Sequence, residues 1–289
     1  MLKIICGYYT VTPEEMKRSI VLNAADEAFV AQIPLASTVV KHTMQSFPGD
    51  GLGQSRPVHY VNLDSLQPGC NVGNTVIDYF LMLLEKQSRN AAVCFAGTIP
   101  RIGVLPSCFA TSSEVLHYTS LDQRYDQSIK RRDWLGWCAA RNCVLNSFCL
   151  DLILFPVCYH LSLFALGIIN CRKRCIQVYH TLDNPTYPNI DAHMLSIVRT
   201  RCSYVAIYVQ LEARGYAPCT DYDEVWELEM LYPGEQAVVQ SNGNVYHVEI
   251  GVSLCMYAYH LAFGLVPDFT CEAFPGFRRR MVRDLLVPN

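Results

Sequence analysis

Fourteen cysteines and eight histidines are spread through the 289 residues, and three kinds of chemistry are open to such a set. A zinc site needs clustered ligands, typically two Cys-x-x-Cys pairs or their Cys and His equivalents. The chain has no Cys-x-x-Cys pair, and "CRKRC" (Cys171, Cys175) has no matching pair elsewhere, so neither a metal nor a cofactor is expected. Disulfides need an oxidising compartment. The opening "MLKIICGYYTVTPEE" lacks the charge and apolar run of a secretory leader, so the thiols read as reduced and mostly buried, in the cytoplasm or nucleus. The third possibility is a nucleophilic thiolate, which requires a histidine within reach and a group to orient that histidine. Cys255 in "GVSLCMYAY" reads as a core thiol, and Cys219 in "APCTDYDEV" reads as a loop thiol with no histidine nearby in sequence.

The elements that would position such groups are legible in the pattern. Thr12-Pro13-Glu14-Glu15 starts a helix through "EEMKRSIVLNAADEAF", with Thr12 as cap and Glu15 completing the capping box. A Gly- and Pro-rich loop, "FPGDGLGQSRP" (47–57), precedes a second helix, "NTVIDYFLMLLEKQ", whose Val76, Phe80, Leu83 and Leu84 share one face. "AAVCFAG", "LDLILFPV", "FALGIINC" and "CIQVYHTL" read as strands, and "EVWELEML" alternates like a half-buried one. A helix capped by Asp191 and ending near Gly215 follows the central strands, while "GVSLCMYAYHLAFG" and "FRRRMVRDLL" give the last two. Strands in the middle flanked by helices make the fold class α+β, a mixed central sheet with helices around it.

Composition narrows the function further. Net charge is −3, which does not point to nucleic acid or an acidic membrane. The basic runs 130–132, 172–174 and 278–280 read as a solvated loop, a hairpin turn and a helix face. The apolar run 152–169 is long enough for a membrane span, but Pro156, His160 and Ser162 break it into two buried strands, with Pro156 near the end of the first. A hydrophobic share of 51% and a mean hydropathy of +0.14 suit a deep core and a surface covered in part by protein partners. Trp134, Trp137 and Trp226 fit core or interface positions.

Four blocks in order, "LDSLQPGCNVGNTVIDYFLMLL", "LDLILFPVCYHLSLFALGIINCRKRCIQVYHTLD", "QSNG" with "GVSLCMYAY", and "PGFRRRMVRDLL", resemble the Ulp/SENP family of SUMO-specific cysteine proteases. The resemblance implies a papain-like fold over one domain, with residues 1–60 as an N-terminal helix and loop of that domain and 61–289 as the protease-like part. It also implies a cysteine nucleophile at a helix N-terminus, a histidine base, an orienting aspartate and an oxyanion-binding glutamine.

Carried across, those roles meet different residues. The base position is Leu163, the acid position His180, the nucleophile position Ile250 (or Tyr246, counting from Gln240 without an insertion), and only Gln240 keeps its family identity. The interval between the base and acid positions, 180 − 163 = 17 residues, needs no gap. The groove positions where the family has tryptophans hold Asn71 and Phe164. His160 and Asp183, each three residues from a lost position, read as facing the other way on a strand. The resemblance therefore implies a pseudoprotease that binds protein partners inside a larger assembly, with Leu163 and Ile250 making the former cleft apolar. The alternative is an active deconjugating protease with relocated catalytic residues. Whether a ubiquitin-like protein is still bound stays open.

Overall fold

The structure is a computed structural model. It describes residues 4–6, 9–11, 22–32, 42–43, 57–58, 63–94, 99–107, 110–111, 150–160, 163–180, 198, 227–231, 239–241, 244–246 and 249–286. In chain order the elements are β1 (Ile4–Cys6), β2 (Tyr9–Val11), α1 (Ala24–Ala31), β3 (His42–Thr43), β4 (Pro57–Val58) and α2 (Asn74–Cys94). Then come β5 (Ile102–Val104), β6 (Ala110–Thr111), β7 (Leu152–His160), β8 (Leu163–Asn170), β9 (Cys175–Tyr179) and β10 (Glu227–Leu231). β11 (Val239–Ser241), β12 (Asn244–Tyr246), α3 (Ile250–Ala262) and α4 (Phe274–Leu286) close the chain. Two compact units result: Met1–Met44, Arg56–Pro100 and Gly234–Asn289 form one, Gln45–Ser55 and Arg101–Pro233 the other.

The second unit is a mixed six-stranded sheet in the order β10-β9-β8-β7-β5, with β6 also paired to β7. β7, β8 and β9 are antiparallel neighbours, whereas β10 runs parallel to β9 and both β5 and β6 run parallel to β7. The apolar run 152–169 is thus two strands of this sheet. Most of their described side chains are buried, as expected for strands covered on both faces. Pro156 is mid-strand, not near the end. It falls between the stretch of β7 that β5 pairs, ending at Leu154, and the stretch that β6 pairs, beginning at Val157, so its missing N–H interrupts neither ladder. The Phe155 ring covers Gly167, its cross-strand partner, and a Cβ there would lie 2.2 Å from the ring.

The hairpin joining β8 to β9 is the exposed basic turn foreseen at 172–174. Asn170 Oδ1 accepts the Lys173 N–H at 2.9 Å, and Arg174 closes the turn with a φ of 53°. Asp151 pins this end of the sheet. Its carboxylate accepts the Arg101 N–H at 2.7 Å and the Arg172 guanidinium at 2.5 Å.

The first unit is built on helices. On α2, Val76, Phe80, Leu83 and Leu84 are buried, as their spacing requires. Phe80 and Tyr259 both meet Phe277 of α4 edge-on, at 5.6 and 6.1 Å between ring centres. Two expectations change here. "AAVCFAG" is not a strand at its start: α2 continues through Cys94, because Ala91 and Ala92 stay on the buried stripe and alanine favours helix. The N-terminal helix is not continuous either. Asn23 is extended (φ −73°, ψ 167°) and caps α1 by accepting the Asp26 N–H, so any helix before it ends there. Residues 12–21, most of the 47–57 loop and the 191–215 segment lie outside the described residues, apart from Pro57 and Val198.

Candidate functional site

The singled-out positions divide between the units. Asn71, Gln240 and Ile250 lie in the helical unit, and Leu163, Phe164 and His180 in the sheet unit. Ile250 is the first residue of α3 and is 1% exposed. Tyr246, the other candidate for its role, is instead in β12 opposite Val239, and Gln240 is in β11 opposite Val245.

What holds the start of α3 is a buried cation. Glu249, the residue before Ile250, makes no capping bond of its own; its carboxylate accepts Arg278 Nε at 3.1 Å. The same guanidinium donates from Nη1 to the carbonyls of Ser65 (3.2 Å) and Gln67 (3.1 Å), and from Nη2 to that of Cys70 (2.8 Å). One side chain from α4 therefore joins the turn that leads to Asn71 with the residue that leads to Ile250. Burying an arginine is costly unless its donors are satisfied, and here a carboxylate and three carbonyls satisfy them. Asn71 is exposed, but Val72 beside it is buried and meets the helix: a Cβ on Gly251 would sit 2.8 Å from Val72 Cβ. Glycine at 251 lets the two backbones approach.

Arg278 is not singled out by the sequence, in which 278–280 reads only as a helix face. The signal was present. Phe274, Phe277, Met281, Val282 and Leu285 form the buried stripe of α4, and Arg278 stands on that stripe, four residues after Phe274. Only its neighbour Arg279 is exposed.

In the sheet unit, Leu163 opens β8, Phe164 follows it and is 1% exposed, and His180 follows β9 and is fully buried. Leu166 pairs with Tyr179, which puts the start of β8 and the end of β9 at the same end of the antiparallel pair. The His180 N–H donates to the Leu231 carbonyl at 3.0 Å. His160 needs correction. The chain reverses between residues 160 and 163, and His160 pairs across the hairpin with Leu163 after an irregularity in the register. Alternation along a single strand does not separate the two. Asp183, Cys219 and the three tryptophans lie outside the described residues.

Three of the described thiols are shifted away from nucleophilicity. Cys255, on α3, is fully buried. Burial, reinforced by Asp78, pushes its thiol far above the ordinary range, against an opposing pull from Arg278. Cys171 is pushed up to about 12 by burial and by Asp151, and Cys175 is raised by burial and by Glu229. A thiol nucleophile needs the opposite shift. Among the described residues, no group of three or more His, Cys, Asp or Glu could hold a metal ion, and no helix is long and apolar enough to cross a membrane.

Comparison with solved structures decides the fold. The C-terminal Ulp1 protease domain, solved in complex with Smt3, the yeast ortholog of SUMO, superposes with a TM-score of 0.57 at 21% identity, over 92% of this chain and 96% of that one. The fold is that of the Ulp1-type SUMO protease domain. The Ulp1-like catalytic domain of Chaetomium thermophilum agrees, with a TM-score of 0.54 at 17% identity over 92% and 90% of the two chains. So does Ulp1 with its catalytic cysteine oxidised to a sulfonic acid, at 0.57 and 21% over 92% and 96%. No protein-family model matches the sequence, and no curated protein matches it. The mixed sheet of one unit and the helices of the other bear out the α+β class.

Proposed function

We propose that this chain is a catalytically inactive Ulp/SENP-type pseudoprotease that serves as a protein-binding or structural subunit of a larger intracellular assembly. Ile250 carries the reading. It opens α3, the place that the resemblance gives to the nucleophile, and it is a buried aliphatic side chain. Isoleucine cannot attack a carbonyl, leucine at 163 cannot take a proton, and His180 cannot supply the charge of an orienting carboxylate. Loss of a nucleophile or a base alone removes most triad catalysis, and this reading has both missing. The upward shifts of Cys171, Cys175 and Cys255 support it from the other side. The reading takes the whole chain, residues 1–60 included, as one protease-like domain without cofactor or metal. It names proteins as the partners and neither nucleic acid nor membrane. Ulp1 was solved with a SUMO ortholog, so a ubiquitin-like protein is the first ligand to test.

Treatment with electrophilic SUMO and ubiquitin probes tests it. No covalent adduct is expected; an adduct that disappears in Cys255→Ser or Cys219→Ser overturns the proposal. The triple variant Leu163→His, His180→Asp, Ile250→Cys should still lack efficient turnover, because a site needs its supporting residues and not only its reactive ones. A chain that runs as a monomer in native extracts would remove the assembly half of the reading. One observation favours the second reading, an active protease with relocated groups: His160 is the cross-strand partner of Leu163. On that reading hydrolysis is present and His160→Ala abolishes it.

A further inference from the structure

The helix α1 is attached to the helical unit in an unusual way. None of its eight residues is buried, and Phe29, its largest apolar side chain, is 42% exposed. Its first turn carries Asp26 and Glu27, and both reach arginines of α4. Glu27 Oε1 lies 3.0 Å from Arg279 Nε, and Asp26 Oδ1 lies 3.5 Å from Arg283 Nε. Arg279 and Arg283 are four residues apart, so they stand one above the other on a single face of α4. The buried stripe of that helix, Phe277 and Met281 included, holds the two arginines in place from behind. Arg283 also donates through Nη1 to Asp284, which fixes its orientation. Charge therefore ties the helix itself to α4, with Leu22, just before the Asn23 cap, buried as a short apolar anchor. The Arg279 and Glu27 side chains are 49% and 38% exposed, and the Arg283 and Asp26 side chains 20% and 28%. Pairs so open to water contribute little and are screened by salt. A helix of eight residues has little stability of its own once undocked.

We propose that α1 is a built-in acidic ligand on the arginine face of α4, and that an acidic segment of another protein displaces it. The partner is defined by the contact it replaces: adjacent carboxylates on one turn of peptide, opposite two guanidinium groups one turn apart. Charge complementarity supplies selectivity and fast association, and loss of the poorly buried α1 costs little. The inference concerns a different surface from the protease-like positions and holds whether or not the chain cleaves anything.

Hydrogen exchange on the full-length protein tests the first half. Raising sodium chloride from about 50 mM to about 500 mM shortens the screening length several-fold. Exchange in residues 24–31 should then accelerate roughly tenfold or more while α3 stays unchanged, a local opening of the kind that low-stability elements show. Asp26→Asn with Glu27→Gln should produce the same acceleration at low salt, and Asn23 should still cap the helix. Salt-independent exchange in α1 overturns the proposal. The second half uses a fluorescein-labelled peptide of residues 22–33 as the probe. It should bind the Asp26→Asn, Glu27→Gln protein roughly fivefold or more tighter than wild type, since its site is no longer occupied. Adding Arg279→Gln and Arg283→Gln to that variant should abolish the binding. Equal binding to all three proteins, or none to any, overturns the idea that α4 is a docking face.

Discussion

The two units secure their candidate positions by different physics. In the sheet, Phe164 and His180 are buried at the end of β8 and β9, strands tied together by their backbone ladders. In the helical unit, Asn71 and Ile250 are linked through one buried guanidinium and the four acceptors it satisfies. The difference teaches where such a fold can lose polar groups. A sheet end held by its ladders accepts leucine or phenylalanine as easily as a polar residue. A helix start held by a buried charge keeps Glu249 and Arg278 together, because removing either leaves the other buried and unpaired.

The sharpest way to break the comparison is Arg278→Met. It leaves the Glu249 carboxylate and the carbonyls of Ser65, Gln67 and Cys70 without their donor, so urea unfolding should show a loss of about 3–5 kcal/mol. Arg278→Lys should recover only part of this, since an ammonium cannot reproduce the planar fork. A loss under roughly 1 kcal/mol would mean that the clamp does not hold the helical unit.

The sheet has its own weak point in packing. Gly167→Ala places a methyl group into the Phe155 ring and should cost about 1–3 kcal/mol. Combining it with Phe155→Leu should return most of that, which a double-mutant cycle would read as a coupling of similar size. Strict additivity of the two changes would show that the ring does not rest on Gly167.

Alkaline pH gives a smaller effect. The Cys171 thiol is raised from 9.0 to about 12, so the folded state holds its proton longer than the unfolded one. The resulting stability is complete below pH 9 and is lost as pH climbs toward 12. The unfolding free energy should drop by about 1 kcal/mol between roughly pH 9 and 10, and Cys171→Ser should flatten that slope. A slope unchanged by the serine would assign the loss to other groups.

The smallest change sharpens the picture of the β8–β9 turn. Arg174 sits at φ 53°, where an L side chain is strained, so Arg174→Gly should stabilise the protein by up to about 1 kcal/mol in thermal unfolding. Destabilisation by the glycine would show that the arginine side chain contributes more than its backbone costs.

The same contrast decides what could be read before any coordinates. The β7–β8–β9 order, the α2 stripe through Val76, Phe80, Leu83 and Leu84, and the two last helices were legible because each is a local periodic pattern over consecutive residues. The start of α1 was not, since a capping box at Thr12 outweighed Asn23, an equally good cap eleven residues further on. The end of α2 was misjudged because valine and phenylalanine in "AAVCFAG" suggested strand, while the buried face was set by the preceding turns. His160 was misplaced because its three-residue offset from Leu163 was counted along a single strand, although the chain reverses between the two. Of the candidate site, the residue types were plain from the blocks. The Arg278 clamp was hidden by its neighbours Arg279 and Arg280, which made three arginines look alike.

The way the two units draw on the chain bears on synthesis at the ribosome. The sheet unit takes its strands from one stretch, Arg101–Pro233, whereas the helical unit needs segments from both sides of it. α2 ends at Cys94 and its helical neighbour α3 begins at Ile250, 156 residues later. At about 5–20 residues per second, the apolar stripe of α2 waits roughly 10–30 s for its partner to emerge. During that interval the sheet can already close through its local hairpins, which form far faster. The nascent chain therefore carries a finished half and a sticky, unfinished one, and chaperone demand should concentrate on the helix made early and covered late.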